Sequence, residues 1–351
     1  MAWMTERPVA APFGYLRPHL VLWAGAFAGF YRPETEELAR LDPVSRFLYS
    51  ARSVILIISA QAAVIAGLLA AREHAFHVLA FLLVLLGFVT LHMISNLSND
   101  YFGYRRGHDT AGSPRMRYTV HPLAGGALDR RTLLTGIVIL VGIAAAITAF
   151  FVATRGWPAV GFAGVGLALL LLYDAAPVPL KAIGLGEAAA FVVWGPLMVG
   201  GGYAMIAGRI SAAAFLAAVP YGLGVASILV GKHIDQLDFD AGHGNRTLPV
   251  LVGEGRARAL NRAVLVAMYV ATAALILRGV LAPFSAVVAL ALPSAVRAAS
   301  LMQRPRPASP PPGYVGWPLW YHRVCLIHNR VFGWLYVLGL AAGTALPAIR
   351  L

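Results

Sequence analysis

Two polar stretches hold most of the side chains that could do chemistry. In the first, His92 to Asp109, the residues His92, Asn96, Asn99, Asp100 and Gly103 recur at steps of three and four, which places them on one helical face. Asp109 falls out of phase with that face, and Gly103 and Gly107 are the residues that can end the helix and turn Asp109 back toward Asp100. In the second stretch, Gly231 to Pro249, Asp235, Asp238 and Asp240 lie close together. Asp235 and Asp238 can share a helical face, and Asp240 falls off it unless the helix frays there. Carboxylates this close repel one another, and a hard divalent cation relieves that cost; all-oxygen donors favour Mg²⁺. A calcium loop fits less well, because the spacing is wrong and no glutamate closes it. Asn99, Asp100, Asp109, Asp235, Asp238 and Asp240 are therefore the expected metal ligands.

Basic residues surround both stretches. Arg105, Arg106, Arg115, Arg117, Lys181, Lys232 and Arg246 are candidates for phosphate oxygens, and Asn96 and Tyr173 are further substrate-binding candidates. Membrane orientation explains many of the arginines equally well, an interfacial ring explains Tyr173, and core burial explains His92. Taken together, carboxylates that hold Mg²⁺, a cation that bridges diphosphate oxygens, and guanidinium or ammonium groups that neutralise the rest suit loss of diphosphate from an allylic lipid. An apolar cavity would shelter the developing carbocation from water.

The elements that must position these groups are membrane helices. Of 351 residues, 59% are hydrophobic and only 12% charged, with a mean hydropathy of +0.72. That excludes an ordinary soluble enzyme and a disordered chain. Nine apolar segments are long enough to be spans: about 53–71, 78–98, 133–153, 157–173, 186–206, 212–230, 260–277, 280–296 and 331–348. Residues 1–52 read as an N-terminal interfacial segment, with Leu20 to Phe30 its apolar part, and 53–351 as the membrane domain.

With nine spans, all but five of the 28 basic residues (Arg72, Arg155, Arg209, Arg278 and Arg350) fall on the N-terminal side, and all but Glu73 of the 15 acidic ones do too. The basic excess predicts a cytoplasmic N-terminus and cytoplasmic acidic loops, in a bacterial-type inner membrane. The net charge of +13 then records orientation and contact with anionic headgroups or phosphates, not nucleic acid. The lone Cys325 excludes an internal disulfide and a cysteine-based zinc site. Residues 303–318, with Pro305, Pro307, Pro310, Pro311 and Pro312, read as a stiff loop.

Three segments resemble the UbiA superfamily of intramembrane prenyltransferases, over roughly residues 50–348. Asn99-Asp100-Tyr101-Phe102-Gly103-Tyr104-Arg105-Arg106-Gly107-His108-Asp109-Thr110 looks most like the branch that prenylates dihydroxynaphthoate in menaquinone synthesis. Tyr173-Asp174-Ala175-Ala176-Pro177-Val178-Pro179-Leu180-Lys181, continuing through Gly184-Leu185-Gly186-Glu187, is similar to the family's loop between the fourth and fifth spans. Gly244-Asn245-Arg246-Thr247-Leu248-Pro249-Val250 resembles the segment after its second acidic motif. Two positions depart from the pattern: Gly103 replaces the family's middle aspartate, and Gln236, beside Asp235, stands where an earlier one belongs.

The resemblance implies an all-α membrane protein, nine transmembrane helices around a lipid-accessible cavity, with Mg²⁺ and a prenyl diphosphate bound between the two acidic loops. The implied reaction is prenyl transfer to a small acceptor such as an aromatic quinone precursor. Three alternatives stay open at this point: a terpene cyclase of the same superfamily acting without an acceptor, an enzyme that moves a sugar phosphate to or from a polyprenyl phosphate, and a lipid-binding or transport protein on a degenerate scaffold.

Overall fold

The structure, a computed structural model, describes residues 23–25, 35–109, 112–174, 177–314 and 316–346. Most of the expected interfacial segment, with Arg7, Arg17 and Arg32, lies outside the described residues, as do Thr110, Ala175, Ala176 and Arg350.

Among the described residues the secondary structure is entirely helical. In hydrocarbon every backbone N–H and C=O must be bonded within the chain, and a helix does this segment by segment. Among the described residues eight helices are long and apolar enough to cross a membrane: Ser53–Arg72, Val78–Arg105, Arg130–Arg155, Gly186–Ala207, Ala212–Asp235, Glu254–Leu277, Pro283–Leu301 and Tyr321–Ala345. A shorter apolar helix, Trp157–Tyr173, stands where the fourth span was expected. The protein is a multi-pass integral membrane protein. Its exposed aliphatic residues, among them Val138, Leu167, Val266, Leu290 and Val296, are what a lipid-facing surface requires.

Local chemistry sets the helix ends. Asp42 accepts from the backbone N–H of Val44 and Ser45 at 2.9 and 3.0 Å and starts the helix Pro43–Ser50. Asp129 accepts from Thr132 N–H at 2.9 Å at the start of Arg130–Arg155. These bonds hold the Asp129 carboxyl below the usual carboxylate range, the Thr132 hydroxyl contributing most.

The chain divides into two compact units. One comprises Met1–Ile57, Val89–Ala144 and Pro307–Leu319, the other Ile58–Phe88, Ala145–Arg306 and Trp320–Leu351. In the second unit the helix Ala212–Asp235 packs against Gly186–Ala207, Glu254–Leu277 and Tyr321–Ala345. Its glycines permit close approach of backbones. A Cβ on Gly222 would lie 2.9 Å from Gly195 Cα, and one on Gly231 would lie 2.9 Å from backbone atoms of Tyr321 and His322.

The approach at Gly231 explains the largest error in the expected spans. The last helix begins at Tyr321, ten residues before the expected 331. Asp235, fully buried at its side chain, accepts from the N–H of Tyr321 at 3.1 Å and of His322 at 2.9 Å, so a carboxylate from another helix caps the start. The polar run His322, Arg323, His328, Asn329 and Arg330 conceals this turn from a hydropathy reading. Other ends move outward for related reasons. Val78–Arg105 continues past the expected 98 through its polar face, and Glu254–Leu277 starts before 260 with a Glu254–Arg258 pair at 3.3 Å.

Removing the cap should therefore show in stability. Asp235→Ala leaves two buried helix N–H groups without an acceptor and is expected to cost about 1–3 kcal/mol, read as a lower unfolding midpoint in detergent with divalent-cation affinity kept. An unchanged midpoint with lost cation binding would make Asp235 a ligand instead of a cap.

Candidate active site

The first acidic stretch is built on the C-terminal end of Val78–Arg105, and its helix continues straight through Gly103 to Arg105. Asp100 is 0% exposed. Arg115 grips it with two N–H groups, Nε to Oδ1 at 2.7 Å and Nη2 to Oδ2 at 2.8 Å, and Arg52 Nη2 also bonds Oδ1. Arg115 is anchored in turn by its Nη1 donating to Thr119 Oγ1 at 2.6 Å, over the Tyr118 ring. Arg52 sits between two helices with φ +57°, the left-handed region that a non-glycine residue rarely occupies. A buried carboxylate that close to two guanidinium groups is stable only while both remain.

Gly107, at φ +70°, turns the chain after the helix, and Asp109 folds back as expected. Its Oδ2 would lie 2.1 Å from a Cβ on Gly103, so the missing side chain at 103 is the space the Asp109 carboxylate fills. Single oxygen or nitrogen atoms of Asp100, Asp109 and His121 lie within 4.8 Å of one another.

The other candidates of this unit spread out. Asn96 is buried and donates to Ala51 O at 2.9 Å, a tie between segments. Asn99 is partly exposed beside Asp100. Arg105, Arg106 and Arg117 are exposed, the first two over the rings of Tyr101 and Phe102.

In the second unit the helix breaks at Gln236, so Asp235 and Asp238 do not continue one helical face. Asp235 turns to the last helix as described. Asp238 is exposed, and Asp240 is buried at 7% exposure. Thr247 Oγ1 lies 3.5 Å from Asp240 Oδ2. Burial pushes the Asp240 carboxyl above the usual carboxylate range, opposed by His233, Lys232, Asn245 and Lys181 around it. Lys181 Nζ stands 5.9 Å over the Tyr173 ring. Arg246 has an exposed side chain, and its backbone N–H donates to Ala182 O at 2.9 Å, which joins the loop after Asp240 to the loop bearing Lys181.

The donors fit a hard cation. Three N–H bonds occupy Asp100, and a carboxylate offers about four lone-pair sites, so one remains on Oδ2. Asp109 Oδ1 has no partner among the described residues. His121 is different. Its Nδ1 accepts the N–H of Leu123 at 3.2 Å and of Ala124 at 3.1 Å, so in the neutral ring Nε2 carries the proton and cannot ligate. Asp100 and Asp109 in one unit, and Asp238 and Asp240 in the other, are the carboxylates that could hold Mg²⁺.

Sequence reasoning missed four residues. Arg52 enters the sequence reading only among the basic residues on the N-terminal side. His121 has no spacing signal. Glu187 and His233 form a buried pair, Nδ1 to Oε1 at 2.7 Å, and the one available hint was a glutamate inside the quoted loop motif.

The arginine grip on Asp100 is open to a direct check. Arg115→Ala is expected to cost about 3–5 kcal/mol because it strands a buried charge, with Arg115→Lys intermediate, in equilibrium unfolding in mixed micelles. A loss under 1 kcal/mol would contradict the pairing.

The chain is 27% identical over 225 residues to a 1,4-dihydroxy-2-naphthoate octaprenyltransferase of Bacillus subtilis, covering 63% of this chain and 70% of that one. It is 31% identical over 220 residues to the enzyme of the same name in Mycobacterium tuberculosis, covering 62% of this chain and 72% of that one. A UbiA homolog from Aeropyrum pernix superposes with a TM-score of 0.60 at 19% identity, covering 81% of this chain and 97% of that one. One from Archaeoglobus fulgidus, bound to GPP and Mg²⁺, gives 0.55 at 15%, covering 85% and 99%. These two likenesses show the fold. Residues 61–320 match the UbiA prenyltransferase family, and the chain belongs to that family as a membrane-embedded prenyltransferase.

Proposed function

We propose that this chain transfers a prenyl group, with Mg²⁺, from a prenyl diphosphate to a small hydroxylated aromatic acceptor of the dihydroxynaphthoate class. The observation that carries the reading is the end of Val78–Arg105, where Asp100 and Asp109 offer carboxylate oxygens for a cation beside exposed arginines. The names of the Bacillus and Mycobacterium relatives support the acceptor class, and the GPP and Mg²⁺ of the Archaeoglobus homolog support donor and metal.

In the proposed reaction the allylic C1–O bond breaks and its electron pair leaves on the diphosphate. A ring carbon of the acceptor bonds to C1, and the ring then loses a proton. Bound Mg²⁺ neutralises charge on the leaving diphosphate. Arg105, Arg106 and Arg117 would neutralise what remains, and the Asp109 carboxylate would hold the metal; in the other unit Lys181, Lys232 and Asp240 offer groups of the same chemistry. Fixing these groups before the reaction means that little reorganisation is needed as charge develops.

Purified protein given Mg²⁺, a long-chain prenyl diphosphate and 1,4-dihydroxy-2-naphthoate is expected to release diphosphate only with the acceptor present and to form its prenylated product by mass spectrometry. EDTA should abolish this and Mg²⁺ restore it. A hydrocarbon or alcohol formed without acceptor would make the chain a cyclase. No release from any prenyl donor would contradict both.

The acidic loops are proposed to face the cytoplasm, on the strength of the basic excess. In a Cys325→Ser background, Arg246→Cys should react with an impermeant maleimide only from the cytoplasmic side and Arg209→Cys only from the other. The reverse pattern would invert the topology.

A further inference from the structure

We propose that His121 is a positioning residue for divalent-cation binding: its Nε2–H holds Asp109 Oδ2 beside Asp100 and leaves Asp109 Oδ1 for the cation. This rests on the reading of Asp109 as a ligand given above.

The ring is 0% exposed and fixed from one side. Its Nδ1 accepts two backbone N–H groups of the turn that follows it, those of Leu123 and Ala124. That turn is itself closed by Gly125 N–H donating to His121 O at 2.9 Å and Leu128 N–H donating to Pro122 O at 2.9 Å. The ring can therefore neither flip nor change tautomer without breaking the turn, and the proton on Nε2 points at Asp109 Oδ2, 3.3 Å away. Tyr104 lies against the ring at 6.0 Å between centroids.

Asp109 needs such a partner. It sits on the loop past Gly107, outside the helix that fixes Asp100, and its backbone N–H reaches Gly103 O only at 3.4 Å. Its carboxylate occupies the space left at Gly103, and a hydrogen bond to one oxygen fixes which oxygen faces outward. Groups that orient a metal ligand in this way are worth roughly 10- to 100-fold in metal affinity. The imidazole does not itself bind the ion, although it lies close enough to be mistaken for a ligand.

The test is Mn²⁺ titration of the full-length protein in detergent, without any prenyl donor, following the class of sites that Asp109→Asn removes. His121→Ala is expected to weaken those sites about 10- to 100-fold. His121→Gln, whose amide can still donate, should recover part of the loss. His121→Ala added to Asp109→Asn should cost nothing further. In turnover, the Mg²⁺ concentration for half-maximal rate should rise by the same factor, with kcat at saturating Mg²⁺ kept.

Unchanged Mn²⁺ affinity in His121→Ala, or a further loss in the Asp109→Asn background, would overturn the proposal. His121→Leu, which keeps the volume, is read the same way if His121→Ala does not fold. Because the titration needs no donor, failure here and failure of the proposed reaction are separable. A protein that turns over normally with His121 silent contradicts only the positioning role, and one that binds Mn²⁺ as expected but cleaves no donor contradicts only the reaction.

Discussion

A carboxylate removed from water must find compensating charge, and in the first unit that constraint is met at Asp100. Stranding such an ion costs several kcal/mol, and two guanidinium groups prevent it, Arg115 through two nitrogens and Arg52 through a third. Much of the surrounding geometry follows from this. Arg52 holds a left-handed backbone between two helices, Arg115 lies on the short helix Pro114–Tyr118, and Asn96 ties the same stretch of the long helix to Ala51.

The second unit solves a related problem by separating its carboxylates. A continuous helix through residues 235–240 would crowd three charges together. The break at Gln236 sends Asp235 to the backbone of the last helix, leaves Asp238 in the open, and places Asp240 among Lys181, Lys232 and His233. Three aspartates close in sequence thus have three different environments. Only the environment of each side chain distinguishes them.

The sequence made the fold class and most spans legible, because a run of about 20 apolar residues has one stable form in lipid. It also located both acidic stretches and the return of Asp109 toward Asp100. It failed where the deciding partner lies far along the chain. The start of the last helix depends on Asp235, 86 residues before Tyr321. The charge state of the Asp100 cluster depends on Arg52, 48 residues away, and the Glu187–His233 pair spans 46. Neither periodicity nor hydropathy carries such information. Gly103 shows the opposite case: as a missing carboxylate in a motif it suggests loss, and as space for Asp109 it is part of the site.

The central claim is that these carboxylates hold the metal that serves a prenyl diphosphate. An anomalous-scattering map of the protein with Mn²⁺ and a prenyl thiolodiphosphate tests it most directly. Mn²⁺ is expected at coordination distance from Asp109, in contact with diphosphate oxygens, with Asp235 still on the helix Tyr321–Ala345. Metal and diphosphate bound away from Asp109 would contradict the claim.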